Sequence, residues 1–357
     1  MGRTLRNLTV IAVVVATTVG AVAGALSTPL PTEFTSGGVR WGDLTGDFSG
    51  FYNEGSVCTA GNGFAMGDAF LLSSGQDDAF DNAGIVVVGG TPYVVPGGVN
   101  GPVDLTGQTL TTPLAATGPL TVAVQWQGAG PGTIREMVTL TNPGATDVTT
   151  NVVVETNVGS DSSTRLQASS TGDISGYPAT ARWFVTSEGD SEPTSDPVIV
   201  SVLVGPGSVA STATVTDCPL GSGGASVKEA EQADEAPDDD ATPDGDVTAS
   251  GTLLSTDEFL YTYNVTVPAG QTRYLMMFWA LYETIAEGVA AGPAWNTNPA
   301  DDSPALGSLP PATVAGLSAS AAGDVSALAG LTATQLSQIL NWNFGPVPVT
   351  LQPRFTG

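Results

Sequence analysis

The sequence predicts a mostly β protein built as an antiparallel β-sandwich, and three observations lead there. Apolar and polar residues alternate with period two in Leu120 to Gln127 and Ile134 to Thr141, and Val148 to Thr156 reads as a further strand. Turn chemistry separates these runs, with a Gly-rich loop at Gly128 to Gly132 and Asn142-Pro143-Gly144 beyond it. Alternation broken by such turns is the signature of antiparallel strands with one face in a core. Leu275 to Leu281 is apolar without alternation, as expected of a strand buried on both faces.

From the N-terminus, Arg3 and Arg6 precede an uncharged apolar run, Leu8 to Val22, followed by small-x-small sites around Ala23 and Ala25. This reads as a signal peptide over 1–25, shorter and less Leu-rich than a membrane span. A secreted protein of the extracellular space or cell surface is therefore expected, with no membrane span after cleavage. Thr35 to Ala83 is rich in Gly, Asp and aromatic residues and reads as loops with short strands. Ile85 to Val88 and Tyr93 to Val95 are strand-like, as are Arg182 to Thr186, Val198 to Val204, Ser208 to Thr216, Gly251 to Leu254 and Phe259 to Val267. The sandwich domain is expected over 26–282. Residues 221–246 interrupt it as a disordered acidic loop, because that stretch has no large apolar residue to bury. Residues 283–357 read as an Ala-rich helical segment with an extended tail carrying Val347, Val349 and Leu351. Its clearest feature is Thr332-Ala333-Thr334-Gln335, a capping box that starts a short helix near Ala333. Leu336, Ile339 and Leu340 would form the apolar face of that helix.

Composition removes several function classes. The 357-residue chain has 35 Asp plus Glu against 9 Lys plus Arg, a net charge of −26. Phosphate binding needs clustered Lys and Arg, so no nucleic acid partner is expected. Cations, neutral polymers and surface proteins remain compatible partners. Histidine is absent. Ser-His-Asp triads, Cys-His pairs and His-ligated metals fall with it. What survives is chemistry by carboxylates, as in glycoside hydrolysis. Cys58 and Cys218, the two cysteines, are expected to join as a disulfide in an oxidising compartment, the alternative being two buried thiols.

The candidate sites follow from residue type. Asp77, Asp78, Asp81 and Asn82 bring oxygen ligands close together in sequence, the pattern that suits calcium. The competing reading is a solvated turn, which favours the same residues. Asp43 and Asp47, flanking Leu44-Thr45-Gly46, are a weaker version of the same pattern. Asn157 to Thr164 leaves one strand and precedes another, a loop that suits an ion, sugar hydroxyls or simple hairpin closure. Trp126 and Trp183 lie in phase with apolar strand residues and read as core, whereas Trp41 and Trp295, in Gly- or Asn-rich surroundings, are the candidates for a ligand-stacking platform.

Val138 to Val148, with its Asn-Pro-Gly turn, resembles the strand-turn-strand of bacterial secreted immunoglobulin-like adhesion modules, and Tyr261 to Leu275 is similar to the closing hairpin of secreted sandwich domains. The resemblance implies fold type and a surface-exposed role and carries no site residues across. The expectation is a non-catalytic exported binding or structural protein of the cell surface or extracellular matrix. A carbohydrate-binding module or carboxylate-based glycosidase is the first alternative, and a self-assembling subunit that docks by strand addition is the second.

Overall fold

A computed structural model describes residues 27–45, 50–55, 62–160, 163–190, 192–205, 208, 214–217, 251–254, 257–296 and 328–343. The signal peptide, Cys58 and Cys218, the acidic stretch 221–246 and the tail 345–357 lie outside the described residues.

Two antiparallel sheets form the body. The first has 11 strands. Its order is β1 (Ser27–Pro29), β9 (Pro102–Thr106), β10 (Thr109–Thr111), β12 (Leu120–Gly128), β13 (Thr133–Thr141), β21 (Thr272–Tyr282), β17 (Val198–Val202), β16 (Trp183–Glu188), β15 (Thr164–Ser169) and β19 (Thr252–Leu253), with β11 (Ala115–Thr117) paired beside β12. The second has 7 strands in the order β18 (Thr214–Asp217), β20 (Glu258–Val267), β14 (Val148–Val158), β7 (Phe80–Val88), β5 (Gly63–Met66) and β4 (Phe51–Gly55), with β8 (Thr91–Pro92) beside β7. A small sheet of β2 (Phe34–Ser36), β3 (Val39–Trp41) and β6 (Ala69–Leu71) completes the β structure.

Period-two patterning explains how the sheets face each other. Val122, Val124 and Trp126 of β12, Ile134, Val138 and Leu140 of β13, and Val152, Val154 and Val158 of β14 all enter one cluster with Phe259, Tyr261, Tyr263, Val265 and Val267 of β20. That cluster is the interface between the sheets. The apolar run in β21 divides by parity. Leu275, Met277, Trp279 and Leu281 enter the interface, while Met276, Phe278 and Ala280 enter a second cluster on the opposite face. Burial on both faces is thus as the unbroken apolar run predicts.

A partial third layer covers that opposite face. Helix α1 (Ile285–Ala291), capped by the Thr284 side chain, runs into a 3-10 turn at Gly292–Asn296, and α2 (Ala333–Gln338) follows. Ile285, Trp295, Leu336, Ile339 and Trp342 pack on Val198, Val200, Val202 and Phe278. Polar bonds fix the docking. Asn341 donates to the carbonyls of Leu203 and Met276 and accepts from the Met276 amide, at 2.8–2.9 Å. The Arg135 guanidinium, pushed down to about 10 by burial, donates to the Ala329 carbonyl at 3.1 Å.

The capping box at α2 is present in full, with the Gln335 amide donating to Thr332 Oγ1 and the Thr332 amide donating to Gln335 Oε1. Replacing Thr332 with alanine is expected to cost about 1 kcal/mol locally. The readout is amide exchange at Gln335 and Leu336, expected to speed about fivefold while core amides stay unchanged.

The architecture bears out the predicted antiparallel sandwich but not the immunoglobulin-like module that the sequence resembled. An immunoglobulin-like module has about seven to nine strands, and sheets of 11 and 7 strands exceed that. Among the described residues no helix is long and apolar enough to cross a membrane.

Candidate functional site: the polar end of strand β7

The start of β7 collects the unusual polar groups. Asn82 and Asn157 are cross-strand partners between β7 and β14, and Asn157 faces Glu258 on β20. Directly opposed residues in an antiparallel pair share a face. Asn82, Asn157 and Glu258 therefore form a row on the face turned away from the first sheet. Tyr52 of β4 extends the row, its hydroxyl donating to Asn82 Oδ1. Glu155, two residues before Asn157, lies on the same face. Burial, together with Asp81 and Glu54 nearby, pushes the Tyr52 phenol well above its ordinary value and keeps it a donor.

The row consists mainly of acceptors. Asn157 is 7% exposed, and its Nδ2 reaches Glu258 Oε1 at 3.5 Å. Its Oδ1 is buried without a hydrogen-bond partner among the described residues. Glu155 and Asn82 are likewise buried. A buried acceptor without a donor costs about 1–3 kcal/mol, so its persistence calls for an explanation.

A carboxylate pair is tied to the first residue of β7, Phe80. Asp43 is buried and ion-paired to Arg40 at 2.6 Å, and it also accepts from the Thr45 amide and hydroxyl. Asp68 is buried too, and its Oδ1 accepts from the amides of Ala69 and Phe80. The Asp68 carbonyl accepts from the amides of Gly42 and Asp43, which ties the two loops together. Burial pushes the Asp68 carboxyl up to about 7, with Asp43 adding to the rise and backbone donors opposing it.

The sequence-derived candidates are placed as follows. Asp77 is exposed, and Asp78 sits at φ 58° with its carbonyl against Gly159. Asp81 and Asn82 lie buried within β7. An extended strand sends successive side chains to opposite faces, so these four do not fold into one ligating loop. Among the described residues no group of three His, Cys, Asp or Glu side chains is arranged to hold a metal.

The tryptophan expectation is corrected. Trp41 is fully buried, and its indole donates to the Ser36 carbonyl at 3.2 Å. Trp295 is 8% exposed, and its ring packs 5.1 Å from Phe278. Trp41 ends strand β3 and Trp295 sits in the 3-10 turn, and both rings are buried whatever the Gly- and Asn-rich composition of their neighbours. Trp126 and Trp183 are core, as their phase indicates.

Asp68, Tyr52, Glu155 and Glu258 were missed. A signal existed for Glu155, a carboxylate that ends the apolar stretch Val152-Val153-Val154 within a strand. Tyr52 and Asp68 gave none, since their roles depend on which loops meet.

No family model matches the chain, and no curated protein matches it. Among solved structures, the chain is similar to a galactose mutarotase-like protein from Lactobacillus casei at 8% identity, covering 71% of this chain and 100% of that one with a TM-score of 0.37. A putative aldose 1-epimerase from Escherichia coli K12 matches at 8% identity over 72% and 100% of the two chains, with a TM-score of 0.38. A galactose mutarotase related enzyme from Lactobacillus acidophilus matches at 7% identity over 71% and 98%, with a TM-score of 0.33. The molecules named are an epimerase and mutarotase-type proteins, so the expectation of a protein that is not an enzyme finds no support in these matches. At such identities and scores the likeness carries no activity or residue role across to this chain.

Proposed function

We propose that this is an exported carbohydrate-binding protein whose ligand lies on the outward face of the second sheet, along Tyr52, Asn82, Asn157 and Glu258. The observation that carries this reading is the row of amide and carboxylate oxygens, with Asn157 Oδ1 buried and without a hydrogen-bond partner among the described residues. Such a surface needs a ligand that brings donors. A net charge of −26 disfavours anionic ligands and leaves neutral polyhydroxylated ones, whose hydroxyls supply the donors.

The test is retardation of the mature protein in native gels cast with neutral polysaccharides such as dextran, soluble starch or arabinogalactan. Wild type is expected to be retarded by at least one of them. Asn157→Leu is expected to lose that retardation at least tenfold while keeping its melting temperature. Unaltered binding by Asn157→Leu, or no binding to any neutral saccharide, defeats the reading.

A second reading, acid–base catalysis on the bound sugar, is favoured by the Asp43–Asp68 pair. With no histidine in the chain, a carboxyl that keeps its proton near neutral pH beside an ion-paired carboxylate is the combination such chemistry requires. Its mark would be turnover on glycosides lost in Asp68→Asn while saccharide binding is retained.

A further inference from the structure

We propose that Glu136 is a protonation lock: the two sheets close over it as a neutral carboxylic acid, and its ionisation as pH rises drives them apart. Glu136 lies on β13 directly between Trp126 of β12 and Met277 of β21, both in the interface cluster. It is 0% exposed, and neither carboxyl oxygen has a hydrogen-bond partner among the described residues. The second sheet presses on it directly. A methyl group built on Gly84 of β7 would lie 2.6 Å from Glu136 Oε2 and 2.5 Å from the Trp126 ring.

Nothing in these surroundings holds a charge on Glu136. The titratable side chain that faces it is Tyr263 on β20, whose hydroxyl donates to the Leu203 carbonyl at 2.7 Å and which burial, then Tyr261 and to a lesser degree Glu136, push upward. Trp126, Met277, Trp279 and Gly84 are uncharged. Arg135, the neighbour in sequence, points to the opposite face, where it bonds Gln125 and the Ala329 carbonyl. An ion left without partners in a dry interface is far costlier than a neutral acid. Burial accordingly raises the Glu136 carboxyl well above 4.5.

The sign follows from linkage. A carboxyl that holds its proton more tightly when folded contributes its full stability below its unfolded value, 4.5, and loses it as pH rises toward the folded value. Equilibrium unfolding of the mature wild type and Glu136→Gln, measured in urea from pH 5 to 8, tests the lock. The ratio of their unfolding constants is expected to rise with pH above 4.5, by up to about tenfold per unit until the folded value is reached, with wild type losing ground. Parallel profiles across that range overturn the proposal. Should Glu136→Gln fail to fold, infrared spectra of wild type labelled with carbon-13 glutamate decide it. A protonated glutamate carbonyl band persisting at pH 6, where a carboxyl titrating at 4.5 has lost its proton, supports the lock, and its absence overturns it. The label excludes Asp68, the other buried acid raised toward neutrality.

Discussion

Gly84→Ala is expected to destabilise the fold by about 4 kcal/mol, a large share of the about 5–15 kcal/mol by which an ordinary domain is stable. Two costs combine. Gly84 sits at φ 70°, in the left-handed region, where a side chain costs about 1–2 kcal/mol. The added methyl group would also lie 2.5 Å from Trp126 Cζ2 and 2.6 Å from Glu136 Oε2, distances that force displacement. Overpacking of this kind costs about 1–3 kcal/mol more. Relief is restricted because the Trp126 ring lies 5.1 Å from that of Trp279, and the Gly84 amide is held by Thr156 Oγ1 at 3.3 Å. Urea titration of the two proteins gives the number. A midpoint shift equivalent to less than about 1 kcal/mol would mean that β7 moves away freely, and the tight interface around Glu136 would have to be abandoned. Shortening Glu136 to alanine in the same chain is expected to recover part of the loss, the non-additivity that contacting residues show.

The position of Gly84 shows what the sequence reveals and what it hides. Period-two alternation made β12 and β13 legible, and the unbroken run of β21 announced two buried faces. The box at Thr332 was legible because capping is local and needs four consecutive residues. Which strands become neighbours is another matter. β13 pairs with β21 and β7 with β14, across long stretches of intervening chain, and no local pattern encodes either choice. The candidate site depends on those choices. Asn157 could be read as one polar residue leaving a strand, but its alignment with Asn82 and Glu258 appears once three strands are in register. Asp43 and Asp68 are likewise far apart in sequence and meet through amides of the small-sheet loops. Trp41 and Trp295 failed for a related reason: neighbour composition reports loop character and says nothing of where a ring points.

Asp68 sets the second large expectation, a wild type that loses about 4 kcal/mol relative to Asp68→Asn between pH 4 and pH 8. Its carboxyl titrates at 3.8 when unfolded and about 7 when folded, because burial and the nearby Asp43 disfavour its charge. The folded state binds the proton more tightly. Its stabilisation is therefore complete below about 3.8 and disappears as pH rises through about 7. Each unit of displacement corresponds to about 1.4 kcal/mol, which gives the figure quoted. Asparagine keeps an oxygen for the Ala69 and Phe80 amides and cannot ionise, so its stability lacks this component. The Glu136 component is present in both proteins and cancels from their difference. Above pH 8 the two curves are expected to run parallel, since Asp68 is then ionised in folded and unfolded chain alike. That plateau follows from the folded value of about 7 and is the mark of Asp68. A difference that stays constant from pH 4 to 8 would mean that Asp68 is ionised throughout. It would then have no proton to give near neutrality, and the catalytic reading of the Asp43–Asp68 pair would fall while saccharide binding along Asn157 stood untouched.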